Sequence, residues 1–220
     1  MALSAFQTED FGLMDYETVW RMQKDRVQQR LAGEIPDILM LGEHPPVITL
    51  GRGSHAENLL NPTIPVLEIE RGGDVTYHGP GQLIAYPIFL LPEGQRDLHR
   101  YLRNLEEVIR RTLADFGLEG TRNPGWTGAW VKSPQNSQLL KIASIGVAVK
   151  KWVTYHGIAL NVNTDLAHFR QINPCGLESS IMTCMQALLG HELSIDAVKD
   201  RLTCHFKAFF PESDFKPTRY

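Results

Sequence analysis

Paired cysteines are missing from this sequence. Cys175, Cys184 and Cys204 are three in number and form no CxxC, which excludes a disulfide framework and a thiolate zinc site and fits a reducing cytoplasm. An excess of positive charge is missing too. With 22 Lys and Arg against 25 Asp and Glu the formal net charge is -3, so no nucleic-acid partner is expected. Long apolar runs are also absent. Leu83 to Leu91 is broken by Pro87 and reaches about half the length of a bilayer span, and Met1-Ala2-Leu3-Ser4 lacks the layout of an export signal. No membrane association is expected. None of the His residues has HExxH or another metal-ligand spacing, and neither G-x-S-x-G nor G-x-x-x-x-G-K-[ST] occurs. No metal, serine-hydrolase elbow or P-loop is therefore expected.

What remains is an ordinary globular composition over 220 residues, 43% hydrophobic and 21% charged. A chain of this size buries roughly 70% of its unfolded surface and needs no staples. Apolar spacing predicts three amphipathic helices. One covers Leu98 to Phe116, with Asp97 as cap and Gly117 at its end. Another runs from Ser194 through Phe209 and is closed by Pro211. The third spans about Tyr16 to Leu31, with Tyr16, Trp20, Val27 and Leu31 on one face and Gly33 after it. Strand-like runs lie at Ile38–Leu41, Val47–Leu50, Val66–Ile69, Leu83–Tyr86, Ala129–Val131, Ile142–Val149 and Ile158–Val162, and 132–137 reads as a hairpin loop. Strands outnumber helices without regular alternation. The expected fold is α+β: a mostly antiparallel sheet with helices packed on one side.

The densest unusual stretch is Arg71-Gly72-Gly73-Asp74-Val75-Thr76-Tyr77-His78-Gly79-Pro80-Gly81-Gln82. Its glycines open backbone conformations closed to other residues, and its polar side chains offer handles, so it reads as a surface loop or a ligand-facing one. Gly51-Arg52-Gly53-Ser54-His55-Ala56 matches G-x-G-x-x-A, but Pro62 breaks any helix that would follow, which removes the dinucleotide reading. Glu43-His44-Pro45-Pro46 reads as a rigid turn. Cys175 lies in the turn-forming Asn173-Pro174-Cys175-Gly176, whereas Cys184 and Cys204 read as small buried hydrophobes. A nucleophilic Cys needs a neighbour that favours its thiolate; Lys141, His78 and His156 are the candidates.

Taken with Lys141-Ile142-Ala143-Ser144-Ile145-Gly146, His156-Gly157-Ile158-Ala159-Leu160-Asn161 and Pro174-Cys175-Gly176, these motifs make the chain resemble the octanoyltransferases of lipoate biosynthesis. The resemblance runs from about Glu17 to Phe210. It implies a biotin/lipoate protein ligase-like fold and one catalytic domain over 1–220. It also implies an acyltransferase, working as a cytoplasmic monomer without metal or cofactor. The implied donor is octanoyl-acyl carrier protein, and the implied acceptors are apo lipoyl domains of 2-oxoacid dehydrogenase subunits and the glycine cleavage H protein. By motif, Cys175 takes the acyl group and Lys141 lowers its pKa. Arg71, Gly72, Gly73, Asp74, Val75, Thr76, Tyr77 and His78 would contact substrate, together with Ser144-Ile145-Gly146 and Gly157-Ile158-Ala159. Backbone N–H groups at Gly146, or at Gly79 and Gly81, are candidates for the oxyanion. Three rivals stay open: an ATP-dependent ligase, a thiol hydrolase pairing Cys175 with His78 or His156, and a non-catalytic peptide-binding module.

Overall fold

A computed structural model describes residues 6–210, apart from the side chain of Cys175. In chain order the elements are β1 (Gln7–Leu13), α1 (Tyr16–Ala32), β2 (Ile38–Glu43), β3 (Val47–Leu50), β4 (Val66–Glu68), β5 (Thr76–His78), β6 (Gln82–Ile88), α2 (Leu98–Asp115), β7 (Gly120–Asn123), β8 (Trp126–Lys132), β9 (Leu139–Lys150), β10 (Val153–Asn161), α3 (Met185–Leu189) and α4 (Ile195–Phe209). The described strands form a seven-stranded sheet ordered β1-β2-β6-β10-β9-β8-β7 and a small sheet ordered β4-β3-β5. In the large sheet β1 and β2 run parallel at one edge and the other neighbours are antiparallel.

The helices begin where side chains satisfy otherwise orphaned amides. Asp15 accepts from Thr18 N at 2.9 Å, Asp97 from Arg100 N at 3.1 Å, and Ser194 from Ala197 N at 3.2 Å. Gly33 ends α1 at φ +73°, a left-handed conformation that costs glycine nothing. Pro211, expected to close α4, and Met1 to Ser4 lie outside the described residues. The 132–137 loop is the expected hairpin, with Ser133 N donating to Gln138 O at 2.8 Å.

Helices cover both faces of the large sheet, which corrects the one-sided arrangement expected from sequence. Strand alternation explains how. Leu39, Leu41, Leu83 and Ala85 point into a core with Leu105, Val108 and Ile109 of α2 and Leu202 and Phe206 of α4. Ile38, Met40, Ile84 and Tyr86 point the opposite way, onto Val19 and Val27 of α1. The buried stripe of α1 is Tyr16, Val19, Gln23, Val27 and Arg30; Trp20 and Leu31 are only half-buried. Two polar residues sit inside that stripe, which is why apolar spacing misplaced it. Arg30 is neutralised by Asp37, Nε to Oδ1 2.7 Å, in a buried pair. Cys184 is buried as expected, but Cys204 is exposed on the outer side of α4.

Candidate active site

A cavity of about 750 Å³ opens where the small sheet meets β9 and β10. Its walls carry Arg71, Gly72, Gly73, Asp74, Val75, Thr76 and His78. They also carry Lys141, Ser144, Ile145 and Gly146 from β9 and Gly157, Ile158 and Ala159 from β10. These are the residues singled out from sequence, with two exceptions. Tyr77 points away from the cavity, stacked on His168 and edge-on to Phe169, because alternate residues of β5 face opposite sides. Cys175 contributes its backbone to a short 3-10 turn over Pro174–Gly176, and Gly176 lines the cavity.

The Gly-rich segment is neither a plain surface loop nor loose. Arg71 threads its guanidinium back through it, Nη1 donating to Asp74 O at 2.6 Å and Nη2 to Thr49 O and Oγ1 at 2.7 and 2.9 Å. Asp74 accepts from Val75 N at 2.7 Å and Asn58 Nδ2 at 2.5 Å. Gly53 N donates to Gly73 O at 3.0 Å, and Gly53 and His55 line the cavity, so the segment of the discarded dinucleotide match is a turn that faces this cavity. Gly72 N donates to Val147 O at 2.8 Å, tying the segment to β9. A Cβ on Gly146 would come within 2.9 Å of Arg71 Cδ and of Gly72 O, which explains the glycine there. Gly81 N is committed to Glu43 Oε2 at 2.6 Å and cannot serve an oxyanion.

From Arg71 a directed network crosses under the cavity to Lys141. Thr49 Oγ1 accepts from Arg71 and so gives its own proton to His78 Nε2 at 3.3 Å. His78 Nδ1 donates to Gln82 Oε1 at 2.9 Å, and Gln82 Nε2 donates to Tyr77 O at 3.1 Å and to Asn161 Oδ1 at 2.9 Å. Asn161 Nδ2 donates to Thr183 O at 3.0 Å, and Thr183 N donates to Lys141 O at 3.0 Å. Lys141 is 2% exposed, with Nζ 5.6 Å from the centroid of Trp130, a favourable cation–π distance.

Burial governs the charge of the two histidine candidates. Burial, and then the charges of His44 and Arg71, push His78 well below its ordinary pKa. Burial and then Arg71 lower His156 to about 3. Both rings are neutral near pH 7, and His78 has both nitrogens occupied. His156 pairs with Val147, six residues along β9 from Lys141, about 20 Å at the rise of a strand. Sequence reasoning missed a layer beside His156. Tyr16 and Tyr86 line the cavity, and His44, taken as part of a turn, accepts from Tyr86 Oη at 2.9 Å. Tyr16 showed only as one residue of a helix stripe, and His44 carried no spacing signal.

The fold is similar to those of lipoate and biotin protein ligases of known structure. A bipartite lipoate protein ligase from Thermoplasma acidophilum superposes with TM-score 0.73 at 18% identity, covering 96% of this chain and 86% of that one. Biotin protein ligase from Aquifex aeolicus superposes with TM-score 0.53 at 10% identity, over 93% and 70%. The chain belongs to the lipoyl protein ligase A/B catalytic-domain family, whose profile matches residues 15–207. Among curated relatives, an octanoyltransferase of Syntrophotalea carbinolica is 46% identical over 92% of this chain and 93% of its own length. One of Geobacter metallireducens is 45% identical over 92% of each. No helix among the described residues is long and apolar enough to cross a membrane.

Proposed function

We propose that the protein is an octanoyltransferase. It moves an octanoyl group from the thioester of octanoyl-acyl carrier protein to a lysine of apo lipoyl domains, those of 2-oxoacid dehydrogenase subunits and of the glycine cleavage H protein. One catalytic domain over 1–220 does this as a cytoplasmic monomer, and the chemistry needs neither metal nor cofactor. The observation that carries the reading is Lys141. It is a buried lysine lining the cavity, on a strand hydrogen-bonded through Thr183 to the segment that follows Cys175.

The donor is already a thioester, so no ATP is required. The Cys175 thiolate attacks the carbonyl carbon; the new C–S bond forms as the donor C–S bond breaks, and the departing thiolate takes up the proton that Cys175 gave away. The acceptor amine then attacks the acyl-enzyme, an amide forms, the Cys175–carbon bond breaks, and the amine's proton returns to sulfur by way of Lys141. As an ammonium, Lys141 favours the thiolate. The Gly72–Gly73 backbone, Ser144 to Gly146 and Gly157 to Ala159 form the acyl slot, each buried methylene contributing about 0.8 kcal/mol.

Intact-mass spectrometry after exposure to octanoyl-acyl carrier protein tests this. An octanoyl adduct that requires Cys175 and then moves to an apo lipoyl domain is expected. An adduct lost to water overturns the reading in favour of a hydrolase, and transfer only with ATP and free octanoate in favour of a ligase.

A further inference from the structure

Lys141 owes its direction to a bulge in the large sheet. From Ala129 opposite Ala143, an unbroken ladder between β8 and β9 would set Trp130 against Ile142. The register shifts at that point, so Trp130 faces Lys141, Val131 faces Leu140 and Lys132 faces Leu139. A bulge of this kind re-aims side chains, and the extra residue, Ile142, joins Ala129, Val131 and Ala143 in the core under α2. Trp130 and Lys141 become a cross-strand pair on the other face of the sheet.

Gly128 makes room for this pair. A Cβ there would lie 3.1 Å from Lys141 Cε and 2.5 Å from Ala143 O, at a φ of +127°. With no side chain in the way, the lysine stem passes beside Gly128 and brings Nζ to 5.6 Å from the centroid of the Trp130 ring. Both side chains are buried, Trp130 1% exposed and Lys141 2%. A desolvated cation gains most from an aromatic face, and indole offers the strongest. The polar end of the ring goes unused, for Trp130 Nε1 is buried without a hydrogen-bond partner among the described residues. A buried N–H left unpaired costs stability, a cost that phenylalanine would not carry. Indole at this position is explained by its ring and not by its nitrogen.

We propose that Trp130 is a positioning residue for the acyl transfer: the face of its indole holds the Lys141 ammonium in the orientation that activates Cys175. The cavity is lined by Lys141 and not by Trp130, so the ring acts through the lysine. Glu106, the buried carboxylate on the α2 side of Gly128, is committed elsewhere. It accepts from Arg103 Nη1 at 2.6 Å, from Arg122 Nε at 2.9 Å and from Gly128 N at 3.3 Å. The inference rests on Lys141 as the group that favours the Cys175 thiolate, as read above.

The test replaces the four tryptophans of the full chain with 5-fluoro-, 5,7-difluoro- or 5,6,7-trifluorotryptophan, which draw charge from the ring face and barely alter its shape. Peptide mass spectrometry then follows alkylation of Cys175 by iodoacetamide at pH 7, a readout that needs no acyl donor. The rate is expected to fall with each added fluorine, about fivefold by the third, the worth of one cation–π contact. The same series should be flat in Trp130→Phe, whose ring takes no fluorine, and Trp130→Phe should keep more of the rate than Trp130→Leu. A flat series in the unsubstituted chain overturns the proposal, since it leaves the ring only its volume. A series that persists in Trp130→Phe also overturns it, assigning the effect to Trp20, Trp126 or Trp152. Lys141→Met separates this proposal from the reading beneath it: alkylation as fast as in the unsubstituted protein overturns the role of Lys141 and this proposal with it, whereas slow alkylation beside a flat fluorine series overturns the proposal alone.

Discussion

Thr183 N donates to Lys141 O at 3.0 Å, and this contact joins the chain that leaves Cys175 to the strand that carries Lys141. The Thr183 carbonyl is in turn held by Asn161, which is held by Gln82. Two segments distant in sequence thus share one buried polar frame. Such a frame specifies geometry only when every member is satisfied.

Replacing Asn161 with Leu leaves Gln82 Nε2 one partner short and strips the Thr183 carbonyl of its side-chain donor. A stability loss of about 1 to 3 kcal/mol is expected, with slower acylation of Cys175. Urea denaturation and single-turnover mass spectrometry read the two effects. Unchanged acylation in a destabilised variant would show that the frame supports the fold without aligning the site.

Lys141→Met keeps the length of the side chain and removes its charge. Iodoacetamide should then alkylate Cys175 more slowly at pH 7, with the rate profile displaced to higher pH. An unshifted profile assigns the activation of Cys175 to another group.

Acid should destabilise the fold through its buried histidines. In the unfolded chain His takes up a proton near pH 6.5, whereas His44 resists until about 4 and His156 until about 3. Between these limits the unfolded state binds more protons. Stability is therefore complete above pH 6.5 and falls as pH drops, by about 1.4 kcal/mol per pH unit for each buried His. The urea midpoint should drop from pH 7 to pH 5, and His44→Gln should make that drop shallower. A midpoint level across the range would mean that these rings are charged in the folded protein.

Gly146→Ala drives a methyl group against Arg71 Cδ and Gly72 O, both 2.9 Å from the new carbon. The rest of the strand is untouched. Acyl-enzyme formation is expected to fall at least tenfold while the far-ultraviolet circular dichroism stays unchanged; full activity would show that the Gly-rich segment yields freely.

Much of this was legible in the sequence, for physical reasons that differ by element. α2 and α4 were clear because Leu105, Ile109, Leu202 and Phe206 recur at helical spacing behind capping residues. The site motifs were clear because glycines at close backbone approaches leave a dense local signal. β1 was not visible, since Gln7-Thr8-Glu9-Asp10 pairs at an edge and buries little, and β5 was hidden inside what read as loop. Helices on both faces could not be seen from α1 alone, because its buried stripe includes Gln23 and Arg30. The neutrality of His78 and His156, both named as candidate neighbours of Cys175, was equally hidden. Their charge is set by burial and by Arg71, which spacing does not report.

Tyr16 and His156 meet across 140 residues of chain, and Gln82 and Asn161 across 79. Contacts so distant in sequence form late, since the chain must close long loops before any of them yields stabilisation. On the ribosome the N-terminal helix waits for the strand that holds His156, and Lys141 waits for Thr183. Every described strand of the sheet precedes Cys175 in the chain, so the thiol emerges after the strand that carries Lys141, and the buried frame closes only when Thr183 has followed it.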